Sequence, residues 1–160
     1  MVLGESHYCA DATDAIPEIT HNVIEQVKNG NEKYNAYTAF EKVMLGKADV
    51  SKNDADQLWE SLLFYNYVQY PMPTPTTSPS SAQFREAGAP FLQVINDYSP
   101  DAIIVWGRPL YNWLPQQGHQ GPDLTVGGAQ LETWVYTLYN GKAVKVMYMD
   151  PPSKPGFLLN

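Results

Sequence analysis

The sequence predicts an α/β fold, a three-layer α/β/α sandwich with a mainly parallel central sheet, in a single domain over residues 1–160. Three observations lead there. Short apolar runs, Val2-Leu3 and Ala102 to Trp106, read as buried strands. Segments of helical apolar spacing separate them. At 160 residues the chain is long enough to bury one continuous core.

Taken in order, Val2-Leu3 ends a buried strand and Gly4-Glu5-Ser6-His7-Tyr8 forms the loop after it. That strand is short, so residues ahead of Met1 are expected to complete it. Ile16, Ile19, Val23, Ile24 and Val27 recur at helical spacing, and Asn29-Gly30 supplies the stop. Tyr34, Tyr37, Phe40, Val43 and Met44 mark a second helix ended by Gly46. Ser51 begins a third, with Asp54 placed as in a capping box and Leu58, Trp59, Leu62 and Leu63 on its apolar side. Leu62 to Tyr70 is ambiguous, and Phe64-Tyr65-Asn66 reads as the start of a loop following a short second strand. Residues 71–80 are rich in Pro, Ser and Thr and form a loop. A helix capped by Ser81 runs through Asn96 with Phe84, Phe91, Leu92 and Ile95 inward. The strand Asp101 to Trp106 follows, then a turn at Gly107-Arg108-Pro109 into a short helix. Residues 115–130 read as a loop. Leu131 to Tyr139 and Lys142 to Met149 are strand-like and flank Asn140-Gly141, a hairpin turn signal.

Composition narrows the function classes. Hydrophobic residues make up 44% of the chain, so the composition is neither disordered nor coiled-coil. No apolar run approaches the roughly 18 residues of a membrane helix, and Met1-Val2-Leu3-Gly4 lacks the features of a signal peptide. The single cysteine, Cys9, cannot form an internal disulfide, which fits a reducing compartment; a cytoplasmic location without membrane contact is expected. A net charge of −7, with ten Lys and Arg, weighs against simple nucleic-acid binding while leaving room for a small local basic patch. Three scattered His and one Cys give no metal-ligand spacing, and no Gly-rich phosphate loop is present, so no cofactor is expected. Ser6 and His7 are adjacent, and no third residue completes a hydrolase triad.

In parallel α/β sheets, ligands bind beyond the carboxyl ends of the strands. Four motifs fall there: Gly4-Glu5-Ser6-His7-Tyr8; Tyr65-Asn66-Tyr67-Val68 with Pro71 and Pro73 downstream; Pro100 to Arg108; and Asp150-Pro151-Pro152-Ser153 followed by Gly156-Phe157. In this order and placement they resemble the motifs of the uracil-DNA glycosylase superfamily. The resemblance spans nearly the whole chain and implies the fold of that superfamily and hydrolysis of the N-glycosidic bond of uracil or another damaged base. DNA (damaged or single-stranded) or a nucleotide is the implied partner.

The same resemblance assigns roles. Glu5, Ser6 and His7 form the candidate catalytic group. Glu5 is the only carboxylate of the first loop and would position water; its alternative role is to cap or orient the loop. Ser6 stands where the best-known branch carries a catalytic Asp. His7 would donate to a base or phosphate, or else stabilise the loop. Tyr8, Phe64 and Asn66 form the candidate base-binding group. Tyr8 matches a Tyr that crowds the thymine methyl group. Asn66 presents one donor and one acceptor, the pairing that separates uracil from cytosine, with an Asx turn or helix cap as the competing role. One ring among Phe64, Tyr65 and Tyr67 would stack on the base, the others being core. Arg108, Ser153 and Lys154 are the candidate phosphate contacts, against a surface ion pair for Arg108 and a solvated turn for the other two. Asp150 or Pro151, depending on alignment, occupies the position of the superfamily's late His. Iron–sulfur branches need four Cys, which a lone Cys9 excludes. The alternatives are a non-catalytic nucleic-acid or nucleotide-binding module on the same fold, and a hydrolase of small nucleosides or nucleotides.

Overall fold

The computed structural model describes residues 1–9, 11, 15–30, 35–154 and 157. Its strands are β1 (Val2–Gly4), β2 (Phe64–Asn66), β3 (Ala102–Trp106), β4 (His119–Gln120), β5 (Leu124–Val126), β6 (Ala129–Leu131), β7 (Trp134–Thr137) and β8 (Ala143–Met149). Its helices are α1 (Ile19–Lys28), α2 (Asn35–Leu45), α3 (Lys52–Glu60), α4 (Ser81–Glu86), α5 (Gly88–Tyr98) and α6 (Arg108–Tyr111). Six strands form one sheet in the order β2-β1-β3-β8-β7-β4, and β5 and β6 form a separate hairpin. β2, β1, β3 and β8 run parallel, β7 is antiparallel to β8, and β4 is antiparallel to β7.

Successive strand residues point to opposite faces, and the core divides accordingly. Val2 packs with Val23, Val27, Phe40 and Trp59 of α1 to α3. Leu3, Ile103, Val105, Val144 and Val146 pack with Phe84, Phe91, Ile95 and Leu110 of α4 to α6. Helices thus cover both faces of a mostly parallel sheet. On the α1–α3 side the buried carboxylate of Glu41 accepts a 2.6 Å hydrogen bond from Trp59 Nε1, which satisfies the indole inside the helical layer. Among the described residues no helix is long and apolar enough to cross a membrane.

Several expected elements differ in detail. Phe64-Tyr65-Asn66 is the second strand itself, paired with Val2, Leu3 and Gly4. The segment 81–96 is two helices. Pro90 has no amide to give the Glu86 carbonyl and its ring would clash there, so the chain restarts at Gly88. The cap is Ser80, not Ser81: its hydroxyl accepts from Gln83 N while Gln83 Oε1 accepts from Ser80 N. Residues 115–130 hold β4, β5 and most of β6, with Gly127 and Gly128 at φ 56° and 85° making the tight turn that joins the hairpin. The strand-like run from Leu131 is interrupted by Glu132-Thr133 before β7 starts at Trp134. Ile16 lies outside α1, and Val43 and Met44 of α2 face solvent. Tyr34 and Gly156 lie outside the described residues.

Candidate functional site

A cavity of about 890 Å³ opens beyond the carboxyl ends of β1, β2 and β3. The way β1 and β2 leave the sheet builds its floor. Their pairing continues past the strands: Tyr67 N donates to Gly4 O at 2.9 Å, Val68 N to Glu5 O at 2.9 Å, Met72 N to His7 O at 2.7 Å and Cys9 N to Met72 O at 2.8 Å. The loop 5–9 and the segment 67–72 are therefore laced backbone to backbone, which holds their side chains in fixed relation.

Gly4 sits opposite Asn66 in the parallel register. A Cβ on Gly4 would lie 2.3 Å from Asn66 Oδ1 and 3.3 Å from Phe64 Cζ, so only glycine lets the Asn66 amide lie across β1. Asn66 is 3% exposed, and its Nδ2 finds no hydrogen-bond acceptor among the described residues. An unpaired buried amide costs stability, on the order of 1–3 kcal/mol.

Of the nine residues expected at the site, six line the cavity: Glu5, Ser6, His7, Tyr8, Asn66 and Ser153. Burial holds the Glu5 carboxyl above its ordinary range. His7 Nε2 lies 2.9 Å from Thr20 Oγ1, and burial lowers its imidazole to about 4, so the ring is neutral at neutral pH. Tyr8 is largely exposed and sits at the rim.

The other three do not reach it. Phe64 joins an aromatic cluster with its centroid 5.5 Å from Tyr37, 5.9 Å from Trp59 and 5.3 Å from Trp106. Its strand register points it into the α1–α3 layer with Val2. Arg108 lies 3.5 Å from Glu132 and over the Tyr148 ring, and Lys154 lies 2.8 Å from Asp150. Both cations are thus held in surface ion pairs, the competing role weighed for Arg108. Tyr67 is core, stacked on Phe84 and edge-on to Phe91, with its hydroxyl donating to Trp113 O at 3.2 Å. Tyr65 packs against the same cluster.

The cavity also takes in residues that sequence reading passed over. Asn22 and Gln26 of α1 project into it beside Ile19 and Val23. Two polar residues interleaved with an apolar helical face were the available signal. Thr74, Thr77 and Ser78 come from the Pro-rich loop, and Trp106 closes the β3 end. Of the described lining residues, none is Lys or Arg, and no group of His, Cys, Asp and Glu among the described residues is arranged to hold a metal ion.

His7 yields a first prediction. Its folded-state value of about 4 lies below the ordinary 6.5, so the unfolded chain takes up the proton first. Folding stability should fall as pH drops from about 6.5 toward about 4. Urea midpoints across that range should fall more gently in His7→Gln than in the parent. Parallel curves would show that His7 is not buried in its neutral form.

Compared with known protein-family models and with curated proteins, the chain finds no match.

Proposed function

We propose that this cavity binds a nucleobase and hydrolyses its N-glycosidic bond, with uracil or another damaged base in DNA as the substrate. The observation that carries the reading is the buried Asn66 amide, whose Nδ2 has no acceptor among the described residues, in one cavity with the Glu5 carboxylate. An amide held without a partner by its own fold is an economical reader of a base edge, because the ligand supplies the missing acceptor.

In this reading, Glu5 accepts a proton from a water whose oxygen bonds to the anomeric carbon. The carbon–nitrogen bond breaks with its electron pair going to the base. Asn66 Nδ2–H donates to a carbonyl oxygen of that base, where negative charge gathers as the bond opens. The proton taken by Glu5 returns to the departed base, which balances the step. Neutral His7 donates or accepts at the sugar, and Ser153 lies at the same mouth. The raised Glu5 carboxyl suits a group that exchanges a proton during turnover. The lone Cys9 accords with work in the reducing cytoplasm.

A second reading, a binding module without chemistry, is favoured by Ser6 and Pro151, which stand where the related motifs carry Asp and His. One assay separates the two. The protein is incubated at high concentration and low salt with single- and double-stranded oligonucleotides containing uracil, hypoxanthine or other lesions. Abasic sites are then scored. Free base is expected to accumulate; binding that weakens with salt and yields no abasic site would leave only the module.

A further inference from the structure

We infer that Trp106 is a second base-binding residue, its indole N–H donating to the ligand alongside Asn66; this rests on the base-binding reading of the cavity. Leu3 pairs with Val105, so the next step of the register sets Gly4 beside Trp106. Gly4 is also paired with Asn66. Asn66, Gly4 and Trp106 therefore form one row across three adjacent parallel strands, with side chains on the same face. Adjacent strands lie about 4.8 Å apart, which puts the two outer Cα atoms roughly 10 Å from each other across a residue with no side chain.

Both outer residues line the cavity, and both carry a buried N–H without a protein acceptor among the described residues, Asn66 Nδ2 and Trp106 Nε1. Trp59 shows what a purely structural tryptophan does in this layer: its Nε1 is satisfied by Glu41 at 2.6 Å. Trp134 Nε1 also finds no partner among the described residues, but it lies against Gly118, where a Cβ would come within 2.2 Å, away from the cavity. Two buried donors without a partner among the described residues, on either side of one glycine and both on residues that line the cavity, form a different arrangement.

The Trp106 ring is held by Tyr37, Phe40 and Phe64 at centroid distances of 5.3, 5.2 and 5.3 Å, which fixes the direction of its N–H before a ligand arrives. The moving part is Asn66, whose amide lies over Gly4. Its rotation clears the row and brings both donors against the incoming base. An indole offers only a donor, so its partner is a carbonyl oxygen or a bare ring nitrogen, never an exocyclic amino group. Trp106 so supplies from β3 a side-chain donor that Pro151 and Pro152, which line the same cavity, do not carry.

The test uses the intact protein labelled with ¹⁵N and free uracil as the probe. The four tryptophans give four indole N–H signals, and Trp106→Phe identifies one by its loss. Uracil should move the Trp106 indole proton downfield together with the Asn66 side-chain amide, while the Trp59 indole stays in place. Trp106→Phe keeps the ring and should weaken uracil binding about tenfold, the scale of one lost hydrogen bond to a desolvated partner. Should that variant fail to fold, the parent spectrum still decides, with the signals identified from Phe variants of the other three tryptophans. If uracil moves the Asn66 amide and leaves the Trp106 indole unmoved, the inference is overturned and the base-binding reading survives. If uracil, hypoxanthine and deoxyuridine move neither, the base-binding reading falls and takes the inference with it.

Discussion

Asn66→Ala is expected to lower kcat/KM for base release by about 10²- to 10³-fold, the usual cost of removing one preorganised donor from a site of developing charge. The loss should appear mainly in kcat, since the hydrogen bond strengthens as the base takes on negative charge. Thermal unfolding gives the second half of the expectation. Nδ2 has no acceptor among the described residues, so its removal breaks no hydrogen bond to them at that atom and leaves none of them stranded there. Stability should hold within about 1 kcal/mol or rise slightly.

A buried asparagine kept for structure behaves the other way, losing stability first and activity only in proportion. Base release and melting temperature measured on the same preparation therefore decide the role of Asn66. A variant that melts well below the parent yet turns over normally when folded would end its candidacy as the base reader. Gly4→Ala is the companion change. Its Cβ would meet Asn66 Oδ1 at 2.3 Å, so it should displace the amide and reproduce the kinetic loss without touching Asn66 itself.

The residues that proved legible in the sequence are those whose local chemistry and tertiary position agree. Val2-Leu3 and Ile103 to Val105 are apolar on both faces because helices cover both faces, and they read as buried strands from their composition. Ser51 caps α3 as its spacing with Asp54 predicts. The first-loop residues converge with Asn66 because the carboxyl ends of adjacent parallel strands must lie together. The misreadings arose where tertiary context overrides a short signal. Three residues of β2 are too few to show a period, and its aromatic content fits helix, strand or core equally. Phe64 and Trp106 look alike in the sequence as large rings near a strand end. Only the register shows that Phe64 is enclosed by other rings while Trp106 borders the cavity. The surface ion pair weighed for Arg108 is the one that forms, but its partner Glu132 is 24 positions away and no local rule names it, whereas Lys154 pairs with Asp150 four positions earlier. Asn66 stood out through the resemblance of its segment and the donor and acceptor of its amide, while its burial without a partner among the described residues is visible only in the structure.

Glu5→Gln is the second large effect, a fall in kcat of about 10²- to 10⁴-fold, the range that general-base catalysis contributes. The substitution keeps the size and hydrogen-bonding reach of the side chain and removes its ability to take a proton. Because Glu5 acts on water and not on the base, KM should change little. The pH profile carries the sharper information. Burial raises the Glu5 carboxyl above its ordinary value, and the ionised form is the active one. Activity should therefore rise with pH through a midpoint above the usual carboxylate range and level off beyond it. His7, lowered to about 4, stays neutral over that rise and adds no second limb. The stability consequence has the opposite sign. A carboxyl whose folded value is raised favours folding while protonated, and that support fades as pH climbs from the unfolded value through the folded one. Glu5→Gln removes this dependence, so the variant should be the more stable protein at neutral pH while being the less active. If Glu5 only orients its loop, the variant instead loses stability, keeps the acidic limb of the profile and retains turnover, which would return the cavity to the role of a binding pocket.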